Sequence, residues 1–86
     1  MHTMNPDIVS IKTAVRQLAA RLEVEAKSSK QWASYARNRG LPEAAVRLDL
    51  VAAALREAFV NAEAAAERLF EAQEHEAAGH EDRIPE

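Results

Sequence analysis

The side chains best placed to do chemistry lie near the end of the chain. His75-Glu76-Ala77-Ala78-Gly79-His80 puts two imidazoles and a carboxylate in one short stretch. A zinc-protease helix needs its histidines four apart, so that both face one side. Here they are five apart, about 140° round a helix, and Gly79 weakens the helix between them. Upstream, Glu63, Glu67, Glu71 and Glu74 form a carboxylate row. Carboxylates catalyse when burial or a neighbour separates their pKa values; a row this polar reads as a solvated face. Ser10, Ser28, Ser29 and Ser34 have no histidine near them in sequence, and two glycines provide no phosphate-cradling loop. The expectation is a protein with no catalytic residues, no metal and no cofactor.

A different chemistry gathers around residue 35. Lys27, Lys30, Arg37 and Arg39 surround Trp32 and Tyr35. Cations for phosphates and rings for bases are what a single-stranded nucleic acid requires. Against that, the chain carries a net charge of -3, and a tight turn after Arg39 leaves no recognition helix. Two readings remain for the rings. They cap the end of a core beside Leu41 and Leu48, or they stand exposed as the aromatic-arginine cluster of a protein-binding hot spot. Trp32, Tyr35, Arg37 and Arg39 are therefore the candidates for contact with a larger protein, and nucleic acid is the weaker alternative.

These residues ride on two amphipathic stretches. Asn5-Pro6-Asp7 offers a cap, a first helical residue and an acid at the positive end of a helix dipole. Ile8, Ile11, Val15, Leu18 and Leu22 follow at helical spacing, with Lys12, Arg16 and Glu23 off that stripe and solvated. Past Leu22 the pattern weakens. Either the seam slips to Leu22, Ala26, Ser29, Ala33 and Ala36, or Ser28 and Gln31 form a capping box and start a new helix; the first is preferred. Arg37-Asn38-Arg39-Gly40 ends the helix with a glycine cap, and Pro42 suits the first position of the next.

The second stretch has a heptad seam. Leu41, Leu48, Leu55, Ala62 and Leu69 recur every seven residues, each followed three positions later by Ala44, Val51, Ala58, Ala65 or Ala72. Ala45, Ala52, Phe59 and Ala66 form a further row beside it. Between Ala44 and Val60 the stretch is apolar nearly all round, more than one neighbouring helix can cover.

Ala33-Ser34-Tyr35-Ala36-Arg37-Asn38-Arg39-Gly40-Leu41-Pro42-Glu43-Ala44 resembles the helix-turn-helix hairpin of a small phage-encoded anti-CRISPR family directed at type I-E systems. Tyr35, Arg37, Gly40, Leu41, Glu43 and Ala44 carry the likeness, which covers the turn, about a seventh of the chain. The resemblance implies a helical dimer that blocks a CRISPR effector protein by binding it, and it assigns no functional residue.

Composition narrows the rest. A chain of 86 residues, 48% apolar and without cysteine, makes one small domain that cannot be stapled by disulfides and gains most from a partner copy. Up to Arg47 about eight Lys or Arg face about four acids; beyond it about three face about ten. An antiparallel hairpin lays one half along the other and brings Lys12, Arg16 and Arg21 level with Glu63, Glu67, Glu71 and Glu74. Met1–Ser10 lacks the features of a secretory signal, and no apolar run is long enough to span a membrane, so the cytoplasm is the expected location. The sequence thus predicts an all-α protein, a long antiparallel helical hairpin dimerising into a four-helix bundle. Its single domain covers residues 1–78, with helices at about 6–39 and 42–77 and a polar flexible tail at 79–86. Val46, Leu50, Ala53 and Val60 are the expected dimer contacts, the Leu41 seam being used within the hairpin. The expected role is a non-catalytic inhibitor or adaptor that occupies a surface on a larger protein; the alternative is a self-assembling structural bundle.

Overall fold

The computed structural model describes residues 7–82, and their side chains as far as Glu76. It is an antiparallel pair of helices, α1 (Ile8–Asn38) and α2 (Pro42–Asp82). The chain measures 73 × 31 × 13 Å with a radius of gyration of 19.8 Å, where a compact chain of this length has about 12 Å. It is a slab one helix thick, and both broad faces lie open.

The helix ends follow from local chemistry. Asp7 is the N-cap of α1: its backbone is extended and its carboxylate accepts from the Ser10 amide at 2.9 Å. The expected cap, Asn5 with Pro6 as the first helical residue, is displaced by two positions, and both residues lie outside those described. Hydrogen bonds from the Ser10 backbone amide and then from its side chain favour the charged carboxylate, holding the Asp7 pKa below its ordinary value. Helix α1 then runs unbroken through Ser28 and Gln31, so the capping-box alternative is not used.

At the turn, Gly40 has φ +74°, a conformation that costs an L-residue about 1–2 kcal/mol. The Leu41 amide donates back to the Ala36 carbonyl at 2.9 Å, and the Gly40 amide to Arg37 at 3.1 Å. This pair of bonds closes the Schellman motif. Leu41 is also the residue before α2, its carbonyl accepting from Ala45 at 3.1 Å, so one residue ends the first helix and begins the second. Pro42 and Glu43 follow in the first turn as expected. Helix α2 continues to Asp82, past the expected end at 77; one glycine costs about 1 kcal/mol in a helix, too little to stop one flanked by Ala and Glu. The part of the expected tail at 83–86 lies outside the described residues.

Burial shows which rows meet. Apart from Glu23, Ser28, Asp49 and Ala58 at the margins, the covered positions on α1 are Ile8, Lys12, Val15, Ala19, Leu22, Ala26, Ser29, Ala33 and Ala36, and on α2 they are Ala45, Leu48, Ala52, Leu55, Phe59, Ala62, Ala66, Leu69 and Gln73. Each set alternates steps of three and four, so each helix contributes one continuous heptad stripe. With the stripe at positions a and d of a heptad abcdefg, the fully buried residues are alanines: Ala19, Ala26, Ala33, Ala45, Ala52 and Ala66 at a, and Ala62 at d. Among the described residues no large side chain is fully buried.

The slipped seam from Leu22 to Ala36 is therefore the one α1 uses, and it extends back to Ile8 through Lys12 and Ala19. Two expectations change. Ile11 and Leu18 lie outside the stripe, 38% and 41% exposed. Lys12 lies inside it and is not simply solvated: its ammonium donates to Gln73 Oε1 at 2.9 Å and sits 5.2 Å from the centre of the Phe70 ring. On α2 the row at Leu48, Leu55, Ala62 and Leu69 does meet α1, but its partner row is Ala45, Ala52, Phe59 and Ala66. Ala44, Val51, Ala65 and Ala72 are exposed, and Leu41 is 54% exposed.

Candidate functional site

The stripe leaves positions e and b on one broad face of the slab and g on the other. Two antiparallel helices side by side are related by a two-fold axis normal to their common plane, so equivalent positions of both helices share a face. The shallow grooves between the helices agree. One is lined by Ala26, Lys27, Lys30, Asp49, Ala52, Ala53, Arg56, Glu57 and Val60. The other is lined by Arg16, Ala19, Ala20, Glu23, Phe59, Glu63, Ala66 and Glu67. All of these except Glu57 occupy a, b or e.

The two faces differ in kind. Through Ala72, the e and b rows carry Arg16, Glu23, Lys27, Lys30, Arg37, Asp49, Arg56, Glu63 and Glu67. The d and g rows, over Ile8–Ala36 and Ala44–Ala72, carry a single charge, Glu25. Their other members include Ile8, Ile11, Val15, Leu18, Leu22 and Trp32 on α1, and Leu48, Val51, Leu55 and Leu69 on α2. Leu41 continues this side at the turn. Arg21, Ser28 and Tyr35 on α1 and Arg47, Asn61 and Arg68 on α2 border it at position c. This is an apolar strip the length of the hairpin, edged by polar side chains, the pattern of a protein interface. Of the heptad seam that the sequence assigns to the hairpin, the row at Leu48, Leu55, Ala62 and Leu69 meets α1, and the row at Ala44, Val51, Ala65 and Ala72 faces outward on this strip.

The basic and aromatic cluster divides between the faces. Trp32 and Tyr35 pack edge to face with ring centres 5.4 Å apart, and they are 59% and 49% exposed. They do not cap a core, because Leu41, expected to be buried beside them, is itself exposed. Lys27, Lys30 and Arg37 emerge on the opposite face. There Arg37 pairs with Asp49 of α2, and Lys27 lies 3.9 Å from Glu23. Arg39, in the turn, is exposed. Bases stacked on the two rings would thus have their backbone turned away from three of the four cations.

Val46, Leu50, Ala53 and Val60 are all exposed, Val46, Leu50 and Val60 at 54–57%. Val46, Ala53 and Val60 sit on the charged face and Leu50 on the outer ridge, none of them on the apolar strip. Level pairing of the charged halves is present in part. Arg16 shares a groove with Glu63 and Glu67, while the cross-helix ion pair found among the described residues is Arg37 with Asp49. The side chain of His80 lies outside the described residues, and those described contain no group of three acidic or histidine side chains placed to hold a metal. No helix among the described residues is long and apolar enough to cross a membrane.

Sequence reasoning missed which of two adjacent apolar rows would turn inward. The signal was there in side-chain size. Ala19, Ala26 and Ala33 on α1, at seven-residue spacing, mirror Ala45, Ala52 and Ala66 on α2, where Phe59 takes the position between the last two, and small residues let two backbones approach most closely. Compared with known protein families, with curated proteins and with solved structures, the chain matches none.

Proposed function

We propose that this chain is a non-catalytic protein-binding module whose apolar d and g face is its docking surface. One observation carries the reading: the d and g face carries a single charge along its length, and half of the exposed large apolar side chains, Ile11, Leu18, Trp32, Tyr35, Leu41 and Val51, lie on or beside it, the others being spread over the charged face and the outer ridges. A surface of that length with Glu25 as its one charge is the kind of apolar patch that marks an interaction site. Trp32 and Tyr35, exposed at the turn end of this face, have the residue types that dominate binding energy at interfaces. In this reading the protein acts as a small inhibitor or adaptor by occupying a surface on a larger protein. The likeness of its turn to the anti-CRISPR family makes a type I-E CRISPR effector the first purified partner to try.

The test is binding of the full chain to that effector, or to a partner captured with the chain and then purified, in the wild type and in Trp32→Ala. The expected result is a Kd raised at least about tenfold with unchanged helical circular dichroism. Unchanged affinity in Trp32→Ala and in Val51→Glu, another change on this face, would refute the docking surface. A self-assembling bundle is the second reading, and the uniform length of the strip favours it: two helices of equal length cover it better than a compact partner does.

A further inference from the structure

We infer that the occupant of the apolar face is a second copy of this chain, the two hairpins stacking strip on strip as a four-helix bundle. The inference rests on the reading of that face as a docking surface and names its partner. The area argument comes first. The chain exposes 7048 Å², whereas a compact chain of 9.5 kDa exposes about 5,000 Å². The excess of about 2,000 Å² per chain is more than enough, since a stable interface buries about 1,200–2,000 Å² over both partners together.

Shape and charge point the same way. The strip runs along both helices from Ile8 to Ala36 and from Ala44 to Ala72, about 42 Å at 1.5 Å per residue, and the partner that matches it end to end is another hairpin of the same length. A two-fold dimer uses one patch twice, which demands a patch that is apolar rather than charged with one sign. The d and g rows meet that demand, with Glu25 as the one exception. Stacking would leave both charged faces outward, in water, and would put a second copy where the larger protein of the first reading would dock. It also moves the expected dimer contacts: Val46, Ala53 and Val60 remain on the outside, and Leu18, Val51 and Leu55 become the interface.

A matched pair of substitutions tests this. Val51 and Val60 lie on the same helix, 45% and 57% exposed, on opposite faces. Sedimentation equilibrium of the full chain should give twice 9.5 kDa for the wild type and for Val60→Glu. Val51→Glu, which buries a carboxylate in each half of the interface, should weaken self-association at least about 100-fold. Glu25→Leu should strengthen it. If the Val51→Glu monomer unfolds, the wild-type Tm still decides, because a dimer melts at a temperature that rises with protein concentration. A wild type of 9.5 kDa with a concentration-independent Tm overturns the inference, and so does a dimer that Val60→Glu disrupts while Val51→Glu leaves it intact. A monomer that still loses a heterologous partner on Val51→Glu would overturn self-pairing alone and leave the docking surface standing.

Discussion

The a row and the d and g rows of this hairpin are built from the same kinds of apolar residue, yet they do opposite things. In the a row, alanines at seven-residue spacing are sealed between the helices, with Ala33 and Ala45 fully covered. In the d row Ile, Val and Leu are partly covered by the other helix, and in the g row Ile11, Leu18, Trp32 and Val51 stand 38–59% exposed. Closeness of approach explains the division. Small side chains let two helices come together along their whole length and gain many weak dispersion contacts. Larger ones on that line would hold the backbones apart. The alanines thus set the closest approach of the two helices, with larger side chains such as Leu22, Leu48, Leu55 and Phe59 only partly covered between them and Ile11, Leu18, Trp32 and Val51 outside the seam. A seam whose fully buried residues are all alanines contributes little apolar area.

Overfilling the seam is the largest way to break that division. Ala33→Leu inserts three heavy atoms where none fit and should destabilise the chain by about 3 kcal/mol. Ala54→Leu, the same change at an exposed edge position, should stay within about 0.5 kcal/mol. Urea unfolding followed by circular dichroism measures both, and equal losses would mean that alanine is not needed at the seam. The turn comes next. A Cβ on Gly40 meets nothing within 4 Å, so Gly40→Ala should cost about 1–2 kcal/mol from backbone conformation alone. Substitution by Asn should recover part of the loss.

Lys12 marks where the alanine row ends. Its ammonium is held by Gln73 and by the Phe70 ring, and Lys12→Ala should cost about 1 kcal/mol. The loss should fall at the open end of the hairpin, read as faster amide exchange around Val15 and Leu69 than around Ala33. Uniform acceleration would place Lys12 in the same cooperative unit as the turn. The smallest effect belongs to Asp7. Its pKa lies below the ordinary 3.8 because of the bond from Ser10. The stabilisation is fully present above that ordinary value and disappears as the pH falls through the lowered folded value. Asp7→Ala should leave the first turn of α1 uncapped at every pH, abolishing this pH dependence, and leave the seam untouched, as seen by NMR amide shifts at Ser10 and Ile11.

Much of the fold was legible because it is local. Gly40 and Pro42 mark the turn, the three- and four-residue spacing marks both helices, and the α1 seam from Leu22 to Ala36 follows from where small residues stand, whereas its continuation through Lys12 and Ala19 in place of Ile11 and Leu18 was not read. The N-cap was two residues off because Asn5 and Asp7 are both good capping residues and only one position gives the carboxylate its reach to the N3 amide.

The sequence by itself determined the two helices, the tight turn, the antiparallel arrangement and the apolar surplus on α2, since each depends on residues a few positions apart. Only the tertiary structure decided which apolar rows face inward. Helical periodicity is the same for Leu48 with Val51 and for Leu48 with Ala45, so spacing cannot rank them. The choice falls to how closely two backbones can pack across a row, and that depends on what the other helix presents opposite it.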